Sequence, residues 1–121
     1  MRKIDKKIEN SLRLILTEVC DAALDNVKGF RWLTHFANYD NFPNSLSIVC
    51  VFNTNSDLAD TRSSNKDDYL RDLIKQKLEA ENIKVRDISQ HISFDTEENC
   101  GREHGGNWQK RFRDNTLRNF H

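Results

Sequence analysis

One proline and four glycines stand in this chain of 121 residues, too few for a Pro-rich linker, a collagen-like repeat or a Gly/Ser tether. The three cysteines, Cys20, Cys50 and Cys100, lie far apart and form no CxxC. An odd, scattered set argues against a disulfide scaffold and for a reducing compartment. Met1 leads straight into RKIDKK with no apolar stretch of leader length behind it, so a cytoplasmic location is expected. No run approaches the roughly 20 apolar residues of a membrane span, and no membrane partner is expected. Phosphate-cradling loops of the GxGxxG or GxxxxGK type are missing. His104-Gly105-Gly106 resembles an oxyanion-hole tripeptide, but no GxSxG nucleophile turn accompanies it. There is no net charge, with 19 basic and 19 acidic residues.

What is present fits one domain with a modest core. Charged residues make up 31% of the chain and hydrophobic ones 36%, which implies a large solvated surface. The charge is uneven: residues 1–13 and 102–121 each hold five basic and two acidic groups, and residues 14–101 hold nine basic and fifteen acidic. Basic ends on an acidic body form a polyanion-binding surface if they meet in space. Otherwise they are solvated termini.

Hydrophobic period predicts the order α-β-β-α-β-α. Ile4, Ile8, Leu12, Ile15, Val19 and Ala22/Ala23 recur at steps of three and four, a helix over 1–28 whose stripe Leu14 and Leu16 widen. A hairpin spans 31–54. Its first strand turns Trp32, Thr34 and Phe36 one way and Leu33, His35 and Ala37 the other. NYDNFPN is the turn. The second strand has apolar residues on both faces, so it is central. Residues 55–65 read as a polar loop with one helical turn at 57–60. A second helix covers 65–82 and a third strand 91–95. Short helices limited by Gly101 and Gly105-Gly106 occupy 96–113, and 114–121 is a tail. The expected fold is α/β or α+β: a small three-stranded mixed sheet, an antiparallel hairpin plus one crossover strand, covered by helices. Three short strands cannot hide all of the first helix's apolar surface. Either helices cover both sheet faces or a second copy helps, which makes a homodimer a candidate partner state.

The densest chemistry lies in HISFDTEENCGREHGGNWQKRF, residues 91–112. Cys100 and His104, four apart, share a face if the segment is helical, and His91 and Asp95 can complete a metal set. The plainer reading makes Cys100 a small buried hydrophobe and His104 a capping residue. Asp95, Glu97, Glu98 and Glu103 can supply paired carboxylates, although first-turn acids are what a helix dipole favours anyway. The second strand carries neither an acid nor a lysine, so two-metal nuclease chemistry has no ligands there. Neither a catalytic residue nor a cofactor is assigned. Lys110, Arg111, Arg113 and Arg118 interleave with Trp108, Phe112 and Phe120, the cation-and-ring pattern of single-strand binding. Trp108 and Phe112 at helical spacing equally form a docking stripe. Trp32, Phe36, Tyr39 and Phe42 on the hairpin, with Trp108 and Phe112, are the candidate anchors for a protein partner.

The phrases MRKIDKKIEN, GFRWLTHFANYDNFPNSL and FDTEENCGREHGGNW resemble a family of small, largely uncharacterised gamma-proteobacterial proteins, often labelled Fis-type transcriptional regulators. The resemblance extends to about Arg113. It implies a DNA-binding regulator and brings no site residues with it. A Fis-type protein is all-helical with a C-terminal helix-turn-helix, whereas the residues here predict a strand, ISFD, and a Gly-Gly break in that third. The expectation from the residues is a non-enzymatic protein-interaction or regulatory domain. The alternatives are a nucleic-acid-associated regulator using the basic ends, and a metal or hydrolytic site around His91, Asp95, Cys100 and His104.

Overall fold

A computed structural model describes residues 2–119, the side chains of 116–119 excepted. The order is α1 (Lys3–Asn26), β1 (Phe30–Phe36), β2 (Ser47–Phe52), α2 (Asn55–Ser63), α3 (Lys66–Ala80), β3 (Ile92–Thr96), α4 (Glu97–His104) and α5 (Trp108–Asn119). The sheet order is β1-β2-β3. β1 and β2 pair antiparallel, with Leu33 opposite Cys50. β3 joins β2 in parallel, with Cys50 opposite Phe94. This is the mixed three-stranded sheet that the alternating patterns predict.

Strand alternation sorts the core. Ile48, Cys50 and Phe52 face α1 and α3 and pack with Leu12, Val19, Leu70 and Ile74. Val49 and Val51 face the other way and are also buried. There α5 lies across the sheet, so helices cover both faces of the central strand. The α1 stripe is narrower than the sequence suggests. Leu16 is buried, but Leu14 is 64% and Ile4 71% exposed. At 100° per residue, Leu14 is about 200° from Leu12 and from Leu16 and points outward.

Two sequence boundaries change. The polar loop at 55–65 is mostly helix α2, because the Thr54 side chain accepts the Asp57 N–H at 3.0 Å and caps it. Leu58 is its only large apolar residue, too few for a periodic signal. The tail at 114–121 is helical in backbone as far as Asn119. Phe120 and His121 lie outside the described residues, as does the side chain of Arg118.

Gly29 ends the α1 connection at φ +84°, and a Cβ there would sit 2.4 Å from Asp57 Cβ. Gly29→Ala should therefore cost about 3 kcal/mol, combining left-handed strain with overpacking. Urea denaturation measures this. A loss under about 1 kcal/mol would show that α2 shifts without penalty.

Candidate functional site

β3 ends where α4 begins, so its last residues set the chemistry at this end of the sheet. Asp95 faces α5. Arg111, on the first turn of α5, reaches down to it with two parallel bonds, Nε–Oδ2 at 2.6 Å and Nη2–Oδ1 at 2.9 Å. The pair is nearly dry, with side-chain exposures of 9% for Arg111 and 13% for Asp95. Such a bidentate geometry is the strong form of a charged hydrogen bond. It holds the guanidinium pKa above its usual value, against an opposing push from burial. The remaining terminal nitrogen, Nη1, lies 3.3 Å from Glu103 Oε2 and 3.2 Å from His104 Nδ1. His104 Nε2 lies 3.1 Å from Asp114 Oδ2. Arginine has no lone pair to offer, so Nδ1 must accept and Nε2 must carry the proton.

A second clasp lies beside the first. Glu97 Oε1 accepts the indole N–H of Trp32 at 3.1 Å and that of Trp108 at 2.8 Å. The two indoles pack edge to face at 4.9 Å. Phe112 extends the stack to Phe36, 5.0 Å between centroids. Together the carboxylate and the rings fasten α5 across β1.

The C-terminal ends of parallel strands, next to helix N-termini, are where α/β sheets usually take anions. Here the chain fills that position itself. Glu98 Oε1 accepts the Asn55 N–H at 2.9 Å at the start of α2. Thr96 Oγ1 accepts from Asn99 N–H at 3.0 Å and donates to Asn55 Oδ1 at 2.7 Å. Asn55 Nδ2 donates to Asn99 Oδ1 at 2.8 Å. The polar groups at this rim satisfy one another.

Beside the Asp95–Arg111 pair the sheet is incompletely covered. A groove of about 350 Å³ runs over Ser47, Val49 and Ser93, walled by Phe36, Phe112 and Asn115. Its floor is small residues, and Phe36 is 45% exposed at its lip. Among the described residues no histidine lines this groove with Ser47 and Ser93.

The predicted residues divide clearly. Asp95 and His104 join one network, but through Arg111, whose positive charge occupies the place a cation would take. Gly101 does not break α4, and Cys100 and His104 are both buried on it. The Cys100 thiol is pushed above its usual pKa by loss of hydration, which disfavours the thiolate. His91 is elsewhere: it precedes β3, with Nδ1 2.7 Å from Leu46 O, about 13 Å of strand from Asp95. Among the described residues no three His, Cys, Asp or Glu side chains are grouped to hold a metal ion.

Of the basic set, Arg111 is buried in its ion pair, while Lys110 and Arg113 are exposed on α5. Of the candidate anchors, Trp32, Trp108 and Phe112 fasten α5 to the sheet. Phe42 packs on Tyr39, 5.5 Å between centroids, against the core. Two groups escaped the sequence reading. Glu97 looked fully explained by its helix dipole, yet buried indole N–H groups demand acceptors, and two tryptophans were the available signal. Glu9 on α1 gathers His35 Nε2 at 2.9 Å, Arg13 Nε at 3.4 Å and the Tyr39 hydroxyl. Nothing in the local pattern marks it.

No helix among the described residues is long and apolar enough to cross a membrane. No protein-family model, curated protein or solved structure matches the chain.

Proposed function

We propose that this protein is a non-enzymatic interaction domain that acts through protein contacts in the reducing cytoplasm. One observation carries the proposal. The residues of chemical interest, Asp95, Glu97, Glu98, His104 and Arg111, bond to one another or to indole and backbone groups. Among the described residues they form no group that could hold a metal ion. They act as fasteners for α4 and α5, while clefts beside the sheet stay open and partly apolar. The three unpaired cysteines support the reducing location.

The test is reactivity in the native state. Cys100 is expected to resist iodoacetamide, and His104 diethylpyrocarbonate, until the protein unfolds in urea. Both are buried and His104 is bonded at both ring nitrogens. Peptide mapping by mass spectrometry reads the outcome. Modification of either residue at the rate of an exposed model peptide would favour the reactive-site reading instead.

A further inference from the structure

The outward face of α1 carries an order that the fold of one chain does not use. Leu14, near the middle of the helix, is 64% exposed. Lys7 and Asp21 stand seven residues to either side of it, and Lys3 and Asp25 stand eleven. At 100° per residue all four lie within about 20° of the direction of Leu14. They make one straight row, basic in its first half and acidic in its second, and every member is exposed.

The ion pairs that α1 makes within the molecule use Asp5, Glu9, Arg13 and Glu18. Among the described residues the four charges of the row take part in none. Lys3 and Lys7 are four apart, as are Asp21 and Asp25, so each half repels itself until an opposite charge covers it. A two-fold axis beside Leu14 supplies that cover, because it lays the basic half of one helix on the acidic half of another.

We propose that α1 pairs antiparallel with α1 of a second copy of this chain, about a two-fold axis at Leu14. Leu14 meets Leu14, Lys7 meets Asp21 and Lys3 meets Asp25, each ion pair occurring twice as an isologous contact requires. The proposal rests on the protein-contact reading and names the partner. Parallel pairing is excluded by charge, since it sets Lys on Lys and Asp on Asp. A polyanion fits worse, since Asp21 and Asp25 share the face. Ile4 and Leu24 lie about 80° to either side of Leu14 and stay at the rim. The buried area is that of one helix face, so the dimer belongs with weak interfaces below about 1,200 Å².

Sedimentation equilibrium of the full-length protein at low salt is expected to show monomer passing to dimer as concentration rises to millimolar. Lys3→Asp/Lys7→Asp and Asp21→Lys/Asp25→Lys should each associate about thirty-fold more weakly, the scale of four exposed ion pairs. An equimolar mixture of the two variants should dimerise again, because every facing pair is then opposite in sign. All four sites are exposed, so urea midpoints should match the parent. Zero-length carbodiimide coupling should join Lys7 to Asp21, read by mass spectrometry. Within one chain these residues are about 21 Å apart along α1, so that product reports the second copy. Four results would overturn the proposal: a monomer at millimolar concentration; association unchanged in both double variants; no recovery in the mixture; or dimers without the Lys7–Asp21 product. A monomer whose Cys100 and His104 stay unreactive would remove this interface but leave the protein-contact reading standing.

Discussion

Replacing Arg111 by leucine is expected to lower the unfolding free energy by about 3–5 kcal/mol, the cost of leaving a buried charge without its partner. The orphan is Asp95, 13% exposed and held by two short bonds to Arg111. His104 Nδ1 and Glu103 lose their donor as well. Denaturation in urea measures the loss. Adding Asp95→Asn to the same protein should restore part of it, because a neutral amide is cheaper to bury than a carboxylate. The double variant should therefore be more stable than Arg111→Leu alone, a coupling that a mutant cycle isolates. A single-variant loss within about 0.5 kcal/mol would mean that the pair behaves as a surface salt bridge.

Trp108→Ala should be nearly as severe, at about 3 kcal/mol. The indole packs against Trp32 at 4.9 Å and Phe112 at 5.3 Å and donates to Glu97. Its removal deletes the main contact that holds α5 on the sheet. Amides of α5 should then exchange faster than those of α1 and α3, and Trp32 emission should shift to the red as water reaches its ring. Glu97→Gln is a milder companion. The amide oxygen can still accept, so the loss should be about 1 kcal/mol, the charge-assisted part of those bonds. If Trp108→Ala left α5 exchange unchanged, the docking would have to come from the Arg111 clasp alone.

The elements were legible where one physical signal dominates. The α1 stripe through Leu12, Val19 and Ala23 follows helical period, and β2 shows its central place through apolar residues at both 48–50–52 and 49–51. The positive φ at Asn82, 62°, matches its place as the α3 stop. What stayed illegible depends on distant partners. Helix α2 has little apolar content and is made by the Thr54 cap and by contact with Gly29. Arg111 looked like one of several free basic residues. Its burial is decided by Asp95, sixteen positions earlier on another element. Glu97 looked like an ordinary first-turn acid, and only the pairing of β1 with α5 brings two indoles onto one oxygen. Cys100 and His104 do share α4, but the guanidinium between His104 and Asp95 turns a metal-like spacing into a hydrogen-bonded fastener.

The central claim is that the polar cluster under α5 is fixed structure and not reactive machinery. The tautomer of His104 tests it most directly. In a long-range ¹H–¹⁵N spectrum of the folded protein, the Nε2–H form should be the single species, with Nδ1 as the acceptor from Arg111. Nδ1 should change its shift in Arg111→Leu. An exchanging mixture of tautomers, or a spectrum indifferent to Arg111→Leu, would contradict the account.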